Sequence, residues 1–337
     1  MNIKHGVPQG SVLGPLLFLI YINDLYKSLI YSTAYHFADD TNLLVVSKTQ
    51  KQLQKHMNID LKLLYKWLIA NKISLNCAKT ELIVFNGSSV DKNFEYKIKI
   101  NGHKLIPTNN LKYLGVLIDN KLNGEYHCEA LRGKLNRANG MLSKVRHYVP
   151  EKELKSIYHA IFTSHLRYGC QIWALENTAQ VERIGKLQDR AMRIINFKNY
   201  HTTSEPIYFQ YQTLKLCDMV RLNNCLLVYD FLRNTLPECF VNYFEQTKFR
   251  YTTLVTRNSE YTALYVPSVN KTSTGIHTIT FRSIQSWNSI CKTLAESLSK
   301  NLPKKDDEYL KLDLTKLDRI KLKKILTGMF LGEMISG

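Results

Sequence analysis

His36-Phe37-Ala38-Asp39-Asp40-Thr41-Asn42-Leu43-Leu44-Val45-Val46 is the stretch on which the fold turns. Apolar, β-favouring residues flank a short acidic bend, which predicts a hairpin with two carboxylates at its tip. Side chains alternate faces along a strand, so adjacent aspartates can share a site only where the chain turns. Mg²⁺ takes oxygen ligands, commonly one or two carboxylates together with substrate phosphates. The tip thus has the chemistry of half a phosphoryl-transfer site, because two-metal sites hold ions roughly 3.5–4 Å apart with ligands from more than one element. An Asp-rich turn with ordinary solvated carboxylates accounts for the same dipeptide.

Around this stretch, 337 residues suggest about two domains. An apolar content of 45% with 11% aromatics fits a globular protein rather than a disordered one. Forty-six Lys and Arg against 28 Asp and Glu leave a formal charge of +18, which points to a polyanionic partner through counterion release and long-range steering. The seven cysteines are scattered, with no Cys-x-x-Cys pair, and read as reduced thiols of an intracellular protein, nuclear or cytoplasmic. The apolar run from Val12 to Ile22 contains Pro15 and is too short to span a bilayer, so no membrane partner is expected.

The chain opens on the loop Gly6-Val7-Pro8-Gln9-Gly10-Ser11-Val12-Leu13-Gly14-Pro15 without a preceding strand or helix, so it is expected to begin in the middle of a domain. Gly14 as N-cap and Pro15 as first helical residue start a helix that is apolar almost all round and is expected to be buried. Thr49-x-x-Gln52 has the capping-box pattern ahead of Leu53, Met57, Leu61, Leu64, Trp67 and Leu68 at helical spacing, with Asn71 as a stop. Residues 82–85 read as a strand, Tyr96 to Ile100 alternates into the hairpin signal Asn101-Gly102, and Tyr113 to Ile118 reads as one more strand. From about residue 120 the pattern is helical. Leu131, Leu135, Ala138, Leu142 and Val145 share one face, and a second helix carries Leu154, Ile157, Tyr158, Ile161 and Phe162. A third runs from Leu187 to Ile195. Residues 250–280 read as irregular or short strands, and Leu322, Ile325, Leu326 and Met329 as a terminal helix.

The order of Gly6 to Pro15, then Phe37-Ala38-Asp39-Asp40, then Leu75-Asn76-Cys77-Ala78-Lys79-Thr80-Glu81, then Tyr113-Leu114-Gly115-Val116 resembles the reverse transcriptase of non-LTR, LINE-type (jockey/CR1-like) retrotransposons. His165-Leu166-Arg167-Tyr168-Gly169 with Trp173, and Leu187-Gln188 with Arg190-Ala191, look like the helical region behind the polymerase palm in these elements. The resemblance covers residues 4–196 and is traceable to about residue 290. It implies that Asp39 and Asp40 bind catalytic Mg²⁺ (or Mn²⁺) and that Pro8, Gln9 and Gly10 form the wall of the deoxynucleotide pocket. Lys79 would lie near the triphosphate, and Tyr113, Leu114 and Gly115 would form the hairpin that holds the primer terminus. Alone, Lys79 in so basic a chain would be a surface lysine, and Leu114 and Val116 would belong to an ordinary core strand. Phe37 replaces the family's Tyr and keeps an aromatic ring.

The fold class expected is α+β: a partial polymerase palm, an antiparallel sheet backed by helices, over residues 1–119; a thumb-like helical domain over 120–200; and a helical and irregular region over 201–337. The strands near 36–46, 82–85 and 96–118 are expected to form one antiparallel sheet backed by helices 15–27 and 50–70, with Gln9 and Lys79 facing the cleft of the Asp pair. Arg132, Lys134 and Arg137 are expected on a nucleic-acid backbone. The partners implied are an RNA template, a DNA primer and an upstream fingers-and-palm polypeptide carrying a further metal-binding aspartate, which would make this chain a polymerase fragment. The competing reading is an inert nucleic-acid-binding remnant with a basic thumb.

Overall fold

In the computed structural model, which describes residues 7–8, 10–85, 91, 93–175, 178–240, 278–301, 314 and 317–332, the acidic stretch is a hairpin. β1 (Thr33–Phe37) and β2 (Asp40–Leu44) run antiparallel with Phe37 opposite Asp40, which leaves Ala38 and Asp39 as a two-residue turn. Ala38 has a positive φ of 51°, as two-residue hairpin loops require. The chain separates into two compact units, one of Met1–Leu111 with Asp119–Lys121 and one of Lys112–Ile118 with Leu122–Gly337.

In the first unit, α1 (Gly14–Ile22) begins one residue early: Leu13 is the N-cap, and Pro15 lies in the first turn. The expectation that α1 is buried is not met. Leu16, Leu17, Leu19, Ile20 and Tyr21 are exposed and only Ile22 is buried. A helix without a polar face is buried only where neighbours surround it, and the core of this unit gathers elsewhere. It joins Leu25, Met57, Leu61, Leu64, Leu68, Tyr96, Ile98 and Ile100. The Tyr21 hydroxyl, donating to the carbonyl of Asn71, ties α1 to the end of α2 (Gln50–Ala70). α2 is capped as its sequence predicts, with the Thr49 hydroxyl oxygen accepting from the Gln52 N–H at 3.3 Å. It stops at Asn71, whose amide donates to the Trp67 carbonyl, and Lys72 then turns to φ 55°.

The single antiparallel sheet is also not formed. Among the described residues the strands make four separate two-stranded ladders: β1 with β2; β3 (Leu82–Ile83) with β6 (Pro107–Thr108); β4 (Ile98–Ile100) with β5 (His103–Leu105); and β7 (Asn110–Tyr113) with β8 (Val116–Asp119). The β3–β6 pair is parallel. One reason is on the helix. Gln54 Oε1 accepts from the Lys97 N–H at 2.6 Å, and Asn58 accepts from the Lys99 N–H while donating to the Lys97 carbonyl. Side chains of α2 thereby occupy the edge where a further strand would pair with β4. The β4–β5 turn follows its sequence, with Asn101 and Gly102 both at positive φ.

The hairpin β1–β2 is attached through a buried carboxylate. Asp60 on α2 accepts from the N–H groups of Ile30 (3.1 Å), Tyr31 (2.9 Å) and Ser32 (2.6 Å) and from the Ser32 hydroxyl (2.5 Å). Burial alone would raise its pKa, but these hydrogen bonds outweigh it and hold the value below the ordinary carboxylate range.

In the second unit the expected strand 113–118 is a hairpin instead, because Leu114 and Gly115 take φ of 44° and 84° and reverse the chain between β7 and β8. The predicted helices follow. α3 (Glu125–Val145) buries Leu131, Leu135, Ala138 and Leu142. α4 (Glu151–Tyr158) continues through a π turn (His159–Thr163) into α5 (Ser164–Arg167), and α6 (Cys170–Trp173) follows. α7 (Ala179–Ile195) packs on α3, where the Asn139 amide donates to the Leu187 carbonyl at 3.1 Å. After α8 (Glu205–Gln210), a further core joins α9 (Leu216–Leu232) to α10 (Ile279–Asn301) and α11 (Arg319–Phe330) through Cys225, Val228, Ile284, Trp287, Leu322 and Leu326. Of the stretch expected to be irregular, residues 250–277 lie outside the described residues, and Ile279 and Thr280 are helical rather than irregular. Among the described residues no helix is long and apolar enough to cross a membrane.

Asp60→Ala leaves three backbone N–H groups without their acceptor and is expected to destabilise the first unit by about 2–4 kcal/mol. Urea denaturation followed by far-UV circular dichroism checks this, and a midpoint within error of wild type would remove Asp60 as the anchor of the hairpin.

Candidate functional site

Asp39 lies in the β1–β2 turn and Asp40 opens β2, and both carboxylates are exposed. One rung back, His36 pairs with Thr41 across the ladder, and its Nδ1 lies 3.1 Å from the Thr41 hydroxyl. Among the described residues its buried Nε2 has no hydrogen-bond partner, and burial lowers the imidazole pKa, which disfavours the charged ring next to the acidic tip. Pro8 and Gly10 are exposed, and Gln9 lies outside the described residues. The Ser11 N–H donates to the Pro8 carbonyl at 3.1 Å and Gly10 has φ 86°, a turn whose third residue needs positive φ. Among the described residues nothing lies within 4 Å of where a Cβ on Gly10 would stand, and the positive φ is what favours glycine there. Lys79 closes a short 3₁₀ turn (Cys77–Lys79) and is exposed. These residues belong to the first unit, whereas Tyr113, Leu114, Gly115, Arg132, Lys134 and Arg137 belong to the second. Among the described residues, no group of three or more His, Cys, Asp or Glu side chains is placed to hold a metal.

The turn after Tyr113 is held by a residue whose role the sequence reading left unassigned. The Tyr168 hydroxyl donates to the Leu114 carbonyl at 2.5 Å, and its ring crowds Gly115, where a Cβ would stand 3.1 Å from Tyr168 Cε1 and would also be strained by the φ of 84°. Gly169, at φ 59°, lets the following chain pass Val116, and Trp173 Nε1 donates to the Tyr168 carbonyl at 2.8 Å. The motif Tyr168-Gly169…Trp173 is therefore a clasp on the β7–β8 hairpin. Gly124, φ 70°, sits where a Cβ would be 2.5 Å from the Trp173 carbonyl oxygen. The sequence marks this stretch through the motif His165-Leu166-Arg167-Tyr168-Gly169 with Trp173, but not its contact with the turn at Leu114.

His127 on α3 completes this arrangement. Its Nδ1 accepts from the Leu117 N–H at 3.2 Å, and its ring lies 5.2 Å from that of Trp173. Burial, with a smaller contribution from Lys134, pushes its pKa down to about 4. Along the solvent side of α3, Lys134 and Arg137 are exposed, but Arg132 donates to Glu129 at 2.8 Å, an ion pair that partly offsets its charge. Lys134 also lowers the pKa of His165, after the larger effect of burial.

Residues 1–118 match a family model described as reverse transcriptase (RNA-dependent DNA polymerase). The "Probable RNA-directed DNA polymerase from transposon X-element" of Drosophila melanogaster is 29% identical over 205 residues, which is 58% of this chain and 22% of that protein. The RNA-directed DNA polymerase from mobile element jockey of Drosophila funebris is 26% identical over 233 residues, 65% of this chain and 25% of that protein. The retrovirus-related Pol polyprotein from type-1 retrotransposable element R1 of Bradysia coprophila is 24% identical over 199 residues, 58% of this chain and 20% of that protein. The chain thus spans about a quarter or less of the length of these relatives. No solved structure matches it.

The folded pKa of His127, about 4, lies below the value near 6.5 of the unfolded chain, so the unfolded state takes up the proton first as pH falls. Stability from this group is complete above pH 6.5 and declines towards pH 4, by on the order of 2 kcal/mol. His127→Gln, which keeps an acceptor for Leu117, is expected to flatten the denaturation midpoint across this window. The same slope in variant and wild type would assign the pH dependence to other groups.

Proposed function

We propose that the chain is a segment of an RNA-directed DNA polymerase of the non-LTR, LINE-type retrotransposon kind, because residues 1–118 match the reverse transcriptase family model and the similar proteins are polymerases of such elements. In the intact enzyme it would take part in template-directed transfer of deoxynucleotides onto a DNA primer. The observation that carries this reading is the exposed Asp39-Asp40 pair at the tip of β1–β2, inside the matched region.

The donor set fits a hard divalent cation. Two carboxylates supply the oxygen ligands Mg²⁺ or Mn²⁺ takes, and burial disfavours the charged form of the adjacent His36, which would otherwise compete with the ion. When bound, the ion supplies charge neutralisation at the triphosphate. Asp39 and Asp40 would hold it, and Lys79 would offset the charge of the departing pyrophosphate or donate a proton to it. The turn Pro8-Gln9-Gly10 would wall the nucleotide pocket. Tyr113-Leu114-Gly115 would present backbone to the primer terminus, with its turn fixed by Tyr168. Arg132, Lys134 and Arg137 would follow the nucleic-acid backbone, with Lys134 and Arg137 contributing more than the paired Arg132. In this reading residues 1–119 are a partial palm and 120–200 the thumb, followed by a helical and irregular region over 201–337.

Two carboxylates side by side are half of a two-metal site, and positioning with charge stabilisation supplies most of phosphoryl-transfer catalysis. The purified chain is therefore expected not to extend a primer on an RNA template until an upstream fingers-and-palm polypeptide is added in trans. Incorporation so restored should be lost in Asp39→Ala. Incorporation that survives Asp39→Ala would remove the aspartate from the site, and none with the complementing polypeptide would favour the inert remnant.

Replacing Arg132, Lys134 and Arg137 by Ala together should weaken duplex binding irrespective of sequence and flatten the plot of log affinity against log salt by roughly 0.9 per lost phosphate contact. Filter binding across a salt series reads it directly. An unchanged slope would take α3 off the binding surface.

A further inference from the structure

The C-terminal ends of α3 and α7 converge on a surface that the polymerase reading does not use. The Arg146 guanidinium donates to the Ile194 carbonyl at 3.4 Å and lies over the Phe197 ring, 5.2 Å from its centroid. His147 meets the same ring edge-on at 5.8 Å. Next to it, Arg193 donates to the Thr202 carbonyl and lies 5.4 Å from the Tyr200 centroid. Phe197, Tyr200 and Tyr148 are 53%, 74% and 88% exposed. Residues 142–150 and 190–204 carry Lys144, Arg146, Arg190, Arg193 and Lys198 and contain no Asp or Glu.

Exposed aromatic rings lose free energy in water unless something covers them, and a single run of chain, 197–201, exposes two of them with a lysine between. Each of these two rings has an arginine over it, which restricts its motion, and each stays more than half exposed. A planar, polyanionic chain with flat apolar groups spaced along it satisfies both features at once: the rings take its bases and the cations its phosphates. An acidic peptide would use the charge but not the ring faces.

We propose that this surface, formed by Arg146, Tyr148, Arg193, Phe197, Lys198 and Tyr200, binds single-stranded nucleic acid by base stacking. It is separate from the proposed duplex contacts of Arg132, Lys134 and Arg137 and does not depend on the polymerase reading.

The test measures fluorescence anisotropy of labelled oligo(U) and oligo(dT) of about a dozen nucleotides with the full chain. An abasic oligomer of equal length serves as control, alongside an RNA–DNA duplex. Tyr148→Ala and Tyr200→Ala remove rings that are largely in solvent, and circular dichroism checks that the fold is unchanged. Each is expected to lower single-strand affinity by about tenfold while duplex binding stays within twofold. Loss on oligo(U) alone would identify RNA as the strand bound, and equal loss on both would identify sugar-independent stacking. The abasic oligomer should bind wild type weakly. Equal affinity for abasic and natural strands, unchanged affinity in both Tyr148→Ala and Tyr200→Ala, or parallel loss on the duplex would each overturn the proposal.

Discussion

The Asp60 carboxylate is the constraint on which the placement of the acidic hairpin depends. A two-stranded ladder in water is marginal by itself and needs a face or an anchor to persist. Among the described residues β1 and β2 have no third strand, and all of their residues stay at least partly exposed. Their entry point is fixed because one buried carboxylate on α2 collects three consecutive backbone N–H groups and a hydroxyl just before β1 begins. Charge-assisted hydrogen bonds of this kind are stronger than neutral ones, which lets a single residue do what a sheet neighbour would otherwise do.

The same arrangement recurs twice. β4 is covered along its edge by Gln54 and Asn58 of α2, and the β7–β8 turn is pinned by Tyr168 from the end of α5. In each case a helix-borne polar side chain satisfies the backbone of a short hairpin. These contacts hold three of the four small ladders individually, each from a helix rather than from a neighbouring strand. Both turns proposed to face substrate, Ala38-Asp39 and Leu114-Gly115, are therefore located by helices, and a change on a helix would be felt at a turn.

The charge of the chain is distributed less freely than its total suggests. Arg132 is paired with Glu129, and Arg146 and Arg193 are drawn over aromatic rings and onto carbonyls. What matters for recognition is which cations keep a free face, and composition cannot tell that.

Features set within a turn or two of chain were legible in the sequence. The Thr49 cap, the Asn71 stop, the Asn101-Gly102 turn and the stripes of α2 and α3 are decided by contacts among near neighbours, and they stand as read. The Asp pair at a hairpin tip was legible for the same reason. The strand expected through Leu114 was misread because apolar alternation conceals a turn when the residue that stabilises it, Tyr168, lies 54 positions away. The apolar α1 pattern described the helix but not its surroundings, and burial is a property of surroundings. The separation of the ladders, the clasp on Gly115 and the anchoring of β1 by Asp60 were decided only by the tertiary structure. Each depends on a hydrogen bond or a close approach between residues far apart in sequence, whose geometry no local pattern encodes.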